Sequence, residues 1–257
     1  MRNSLKAGLL LTVGLVLTTL HAGWVQEEEA TYVKGLLCVA CHKALNKELV
    51  TRFTETKHAK AKPTPAEGEE MRPVDVYRRS VGFVPADNSY SEPGVGCQSC
   101  HGLGSKHVGA KDEEKAAAIV SVAKLDTPRK KLSVCGRCHG EYTIEGQPFP
   151  AKFKPGMDLF EIEGFQLSEI TQPGPFQQLN ELQASKHMAN DVTCVTCHTA
   201  HQESPGEPQL RKPLPDLCLE CHADPHAGTA GPAEIPEGMT CATCHMPDGR
   251  HVFAVAK

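Results

Sequence analysis

Cys194-Val195-Thr196-Cys197-His198 decides how the chain is read, because its CxxCH pattern recurs at Cys38–His42, Cys97–His101, Cys135–His139, Cys218–His222 and Cys241–His245. The six copies use all twelve cysteines and leave none over. Two thiols three positions apart can form thioethers to the two vinyl groups of one haem, and the histidine that follows then sits under the iron as proximal ligand. The thioether candidates are Cys38 and Cys41, Cys97 and Cys100, Cys135 and Cys138, Cys194 and Cys197, Cys218 and Cys221, and Cys241 and Cys244. The proximal candidates are His42, His101, His139, His198, His222 and His245. A zinc ribbon needs no histidine at one fixed place after every pair. A thioredoxin-like motif occurs once, beside a βαβ pattern that this sequence lacks. A disulfide framework leaves the matched histidines unexplained. Six covalently bound haem c groups are therefore expected.

The start of the chain points to export. Arg2 and Lys6 precede the apolar run Ala7–Leu20, and Ala22 before Gly23 offers a small-residue cleavage point, so residues 1–22 read as a secretory signal peptide. The run is shorter than the ~18 apolar residues of a spanning helix. A periplasmic or extracellular mature protein follows, touching a membrane only peripherally. Cleavage takes the formal charge from −4 to −6, since Arg2 and Lys6 leave with no acid. An acidic chain lacks the basic footprint of a nucleic-acid binder. It suits docking to basic patches on redox partners, either other cytochromes or a membrane quinol-oxidising complex.

Beyond the signal, each motif has about 39 residues. A segment near ~40 residues cannot bury enough apolar surface to stand alone. Aromatics make up 5% of the chain, against 22 glycines and 19 prolines, so the haems are expected to supply much of the apolar core. The expected class is mainly α with extensive loops: short helices wrapped around stacked haems. Two lobes of three motifs each are expected, at residues 23–165 and 166–257.

Along the chain, the spacing of Leu45, Leu49, Val50 and Phe53 predicts a helix running on from Cys38. Residues 63–95 hold five prolines and read as a long wrapping loop. Residues 111–124 read as a short amphipathic helix. The basic run Thr127-Pro128-Arg129-Lys130-Lys131 suits haem propionates, an acidic partner or a solvated turn. Phe149, Phe153, Phe160, Phe165 and Phe176 are expected to pack on haem faces rather than form a substrate box.

Six of the thirteen histidines are proximal and His21 lies in the signal, so six remain: His58, His107, His187, His201, His226 and His251. Six irons need six second ligands, and these are the distal candidates. His201 follows His198 by three positions, too close to reach the opposite face of the same haem, and suits a neighbouring one. Methionine is the competing ligand, but Met71, Met157, Met188, Met239 and Met246 have no motif of their own, and Met246 adjoins proximal His245. Low-potential bis-histidine haems are expected.

GVGCQSCHG (94–102), KHAKA (57–61) and TPRK (127–130), in this arrangement, resemble the cytochrome c-554-like multihaem family. From residue 185, SKHMANDVTCVTCHTAH, LCLECHADPH and TCATCHMP look like a doubled-CxxCH module. The resemblance implies a multihaem cytochrome c fold, stacked haem pairs, bis-histidine ligation and electron transfer. The chain departs from the tetrahaem c-554 type in carrying six motifs.

Three functions fit these residues. An electron carrier needs only close-spaced, saturated haems, and the last three motifs start 24 and 23 residues apart. A reductase of a nitrogen or sulfur oxyanion needs one haem with an open face and acid–base groups beside it. A subunit of an extracellular filament would take a distal histidine from the next copy. The first is the leading expectation, in a respiratory chain and with no catalytic residue.

Overall fold

The computed structural model describes residues 29–65, 67–68, 70–150, 152–202, 209–223, 226 and 236–253. The expected signal segment lies outside them. Among the described residues the chain is a run of short helices joined by turns, and no helix is long and apolar enough to cross a membrane.

The expected first helix is three. Helix α1 (Gly35–Leu45) carries the first motif, α2 (Lys47–Glu55) follows after Asn46, and α3 (Lys57–Lys60) follows after Thr56. Polar side chains make the breaks. Asn46 leaves helical geometry and its side chain accepts the Leu49 N–H at 3.1 Å. Thr56, fully buried, accepts the Ala59 N–H in the same way. Such side chains offer the backbone an alternative to continuing the helix.

The expected loop at 63–95 is more ordered than its prolines suggested. Pro73 occupies the first turn of α4 (Pro73–Arg78), where its missing N–H costs nothing. Strand β1 (Ser80–Val81) then pairs antiparallel with β2 (Glu92–Pro93). Helices α5 (Cys97–His101) and α6 (Ser105–Gly109) carry the second motif and His107. The expected amphipathic helix shrinks to α7 (Asp112–Lys115) and a single 3-10 turn at Val122–Lys124. Its middle is drawn off by tertiary bonds: the Val120 N–H donates to the His101 carbonyl at 3.1 Å.

Helix α8 (Pro128–Gly136) leads into the third motif, and a hairpin of β3 (Tyr142–Ile144) and β4 (Phe165–Leu167) precedes α9 (Gln178–Gln183). The fourth and sixth motifs open α10 (Cys194–Cys197) and α12 (Cys241–His245), and the fifth begins within α11 (Asp216–Leu219).

The protein core is small. One cluster joins Leu132, Tyr142, Phe153, Leu159, Leu179 and Leu182 and draws in Phe160, Phe165, Cys194 and Phe253, so residues on both sides of 165 share it. A second joins Val74, Tyr77 and Phe149, with Phe83 and Cys138 against it. Phe149, Phe153, Phe160 and Phe165 belong to these clusters, and Phe176 meets a motif histidine, His139, at 6.0 Å between centroids. The basic run is partnered within the chain. Thr127 caps α8, Arg129 pairs with Asp158 at 2.9 Å, and Lys130 pairs with Asp126 at 3.0 Å.

Candidate haem-attachment sites

Each motif closes one helical turn, and that turn aims it. Positions i, i+3 and i+4 share one helical face, so both cysteines and the histidine of a CxxCH turn point the same way. In the third, fourth and fifth motifs the turn is closed by the histidine N–H, which donates to the first cysteine's carbonyl at 2.9 Å for His139, His198 and His222. The fourth and sixth motifs are started by reciprocal caps, Thr193 with Thr196 and Thr240 with Thr243. Gly140, just past the third motif, lets α9 approach, since a Cβ there would lie 2.7 Å from Leu179 Cδ2. The Leu179 N–H then donates to the His139 carbonyl at 2.8 Å, which anchors the motif to the core.

The six proximal and six distal candidates meet one to one. His42 faces His107 at 6.1 Å between ring centroids, His101 faces His201 at 6.0 Å, and His139 faces His58 at 5.9 Å. His198 faces His251 at 5.9 Å, His222 faces His187 at 5.9 Å, and His245 faces His226 at 6.2 Å. A histidine nitrogen binds its metal at about 2 Å and lies about 1.2 Å from its own ring centre, so two imidazoles on opposite sides of one iron have centroids roughly 6.3 Å apart. The interplanar angles, by contrast, run from 7° to 89°. A metal shared between the two rings of each pair would fit this constant spacing at varied ring angles. His201, as its position relative to His198 suggested, reaches a different motif from the one beside it.

Hydrogen bonds set the tautomers at the first two sites. The Val120 carbonyl can only accept, so His101 Nδ1 carries the proton it donates there at 2.7 Å. His107 Nδ1 donates likewise to the Lys115 carbonyl at 2.8 Å. Nε2 of both rings is left with its lone pair, the metal-binding form. Burial favours the neutral ring at four histidines. It pushes His139 down to about 4, helped by facing His58. Burial and the facing ring also lower His187, His201 and His251.

Successive motifs lie beside one another in chain order. Cys38 touches Cys97, Cys135 touches Cys194, and Cys218 touches Cys241, each through hydrogen-bonded thiols. The Cys97 thiol donates to Cys38, which lowers Cys38 to about 7 and raises Cys97. Between these couples, Cys100 neighbours Cys135 and Cys138, and Cys197 neighbours Cys218 and Cys221. First to sixth, each motif has the next one beside it.

The donor set fits haem. The twelve cysteines are free of disulfides. The histidines converge in twos, and two axial nitrogens complete an iron already held by a macrocycle. Among the described residues no group of three or more protein donors is arranged for a metal of its own. Large apolar side chains stand exposed beside the motifs, among them Leu36 (74%) and Leu45 (80%) on α1, Val108 next to His107, and Leu219 next to Cys218. A macrocycle held by the adjoining cysteines would cover such surface.

Two residues of the site escaped the sequence reading. Glu181, buried on α9, accepts from Arg250 Nε at 2.7 Å and from the His251 N–H at 2.6 Å, and so positions a distal candidate. Its neighbours Leu179 and Leu182 mark an apolar face, but nothing in the sequence shows that a carboxylate joins them. Arg137 lies between the cysteines of the third motif. It is the only cation inside any CxxCH, and that signal was legible.

Comparison with known proteins places these motifs in context. The family model described as Doubled CXXCH motif matches residues 187–227. Cytochrome c-554 of Nitrosomonas europaea is 26% identical over 182 residues, covering 57% of this chain and 74% of that protein. The multiheme cytochrome MtrA of Shewanella baltica is 23% identical over 184 residues, covering 68% of this chain and 42% of that protein. Among solved structures, the undecaheme cytochrome from the S-layer of Carboxydothermus ferrireducens is 20% identical with a TM-score of 0.35, covering 69% of this chain and 36% of that one. The chain thus spans under half the length of the last two.

Proposed function

We propose that this multihaem c-type cytochrome is an exported hexahaem electron carrier of a respiratory chain, with every iron held between two histidines. The observation that carries the proposal is the one-to-one meeting of six motif histidines with six others at 5.9–6.2 Å. In this reading the ligand pairs are His42 with His107, His101 with His201, His139 with His58, His198 with His251, His222 with His187, and His245 with His226. The twelve motif cysteines form the thioethers. Each bound haem supplies a one-electron ferric–ferrous couple.

The chain's own part is spacing. The contacts between successive motifs support a single row of six, with the first and sixth sites at its ends as places for exchange with other redox proteins. Those partners are cytochromes or a membrane quinol-oxidising complex, met in the periplasm or outside the cell during anaerobic respiration. Pairing within one chain favours a carrier over a reductase, which needs an iron with an open face. It also favours a carrier over a filament subunit that borrows a histidine from its neighbour. The division into lobes at 165 is proposed for the haem groups only, since the apolar core crosses it.

Intact mass of the purified protein, with a pyridine haemochrome assay, tests the foundation. Six haems per chain are expected. Fewer than six would overturn the hexahaem reading.

A further inference from the structure

Arg137 stands out among the chain's cations. Its guanidinium donates to the Ser99 carbonyl in the second motif and, at 3.3 Å, to the Tyr77 hydroxyl. The group also lies 5.6 Å from the Tyr77 ring centre and 5.8 Å from that of Phe153. Its Nε is buried without a hydrogen-bond partner, and among the described residues no carboxylate forms an ion pair with it. Other arginines here are compensated: Arg129 by Asp158, Arg250 by Glu181 and, at 3.4 Å, the neighbouring buried Arg78 by Glu141.

Holding a part-buried guanidinium, with its Nε wholly out of water, beside no anion is costly. Arg137 also cannot shed its proton to escape that cost. The charge is fixed at the attachment points of the second and third sites, near both Cys100 and Cys138. A ferric iron that takes up one electron becomes less positive, so a nearby buried cation favours the reduced state. Low dielectric strengthens the effect. The carboxylates that a haem carries are the anions such a cation would meet, and in the basic run at 127–131, which also suits them, Arg129 and Lys130 are already paired.

We infer that Arg137 is a built-in positive charge that raises the reduction potentials at the second and third sites, making those two sites the place where electrons rest. This inference rests on the hexahaem reading. The test is a spectroelectrochemical titration of Arg137→Gln with dithionite as one-electron donor to each iron, run beside the unaltered protein and Arg137→Lys. In the Gln variant two of six couples should move to lower potential and four should stay, at unchanged haem content and spin state. The Lys variant should stay close to the unaltered protein. An unshifted Gln variant with six low-spin haems overturns the role of Arg137 and leaves the hexahaem reading standing; a low haem count in the unaltered protein overturns that reading instead.

If the Gln variant fails to accumulate, the unaltered protein decides. The low-spin EPR signal of the third site is identified by its loss in His58→Ala. That signal should be among the first two to vanish on reduction, and any later place in the order overturns the inference.

Discussion

Replacing Glu181 with Gln should loosen one distal ligand without touching any haem-bearing residue. The Glu181 side chain is 5% exposed and holds both Arg250 Nε and the His251 N–H, while Arg250 itself is 31% exposed. Removing one partner of a fully buried ion pair costs about 3–5 kcal/mol. Because Arg250 can turn to water, about 2 kcal/mol is the better figure. At 1.4 kcal/mol per factor of ten, that frees His251 from its place opposite His198 about 30-fold more often. Carbon monoxide added to the reduced protein reports this directly, since it binds only where a histidine lets go. Glu181→Gln should bind carbon monoxide at one haem in six about 30-fold more readily than the unaltered protein. Its melting point should fall by about 4–8 °C, as roughly 2 kcal/mol does in a chain of this size. A variant as resistant to carbon monoxide and as stable as the unaltered protein would refute the positioning role.

Two further outcomes follow from the geometry. His201→Ala should give one high-spin haem at the second site, facing His101, although residue 201 lies beside the fourth motif; EPR and rescue by free imidazole check it, and loss at the fourth site would contradict it. Gly140→Ala should lower stability by about 1–3 kcal/mol, because a Cβ 2.7 Å from Leu179 Cδ2 and 2.8 Å from the Gly136 carbonyl forces α9 away from α8; thermal unfolding measures it.

The parts legible in the sequence were those with a fixed spacing. CxxCH implies one helical turn with three side chains on one face, and all six motifs form such a turn or its hydrogen bond. The histidine count closed at six against six, but which ring meets which could not be read. That depends on tertiary paths such as the one carrying residue 107 back to the first motif. Helix limits were misjudged where side chains compete for the backbone, at Asn46 and Thr56. They were misjudged again where His101 takes both the N–H and the carbonyl of Val120. Composition alone does not show the clusters that the chain makes for itself: Phe149, Tyr77 and Phe83 pack together, and α4, inside the expected loop, supplies this cluster with Val74 and Tyr77. Arg137 was visible as a cation within a motif, but its burial was not.

The central claim is that six haems are all closed by two histidines of the same chain. Carbon monoxide added to the fully reduced, unaltered protein tests it most directly. The account predicts an absorbance spectrum that does not change at any of the six haems; a carbon monoxide adduct at even one of them would contradict it.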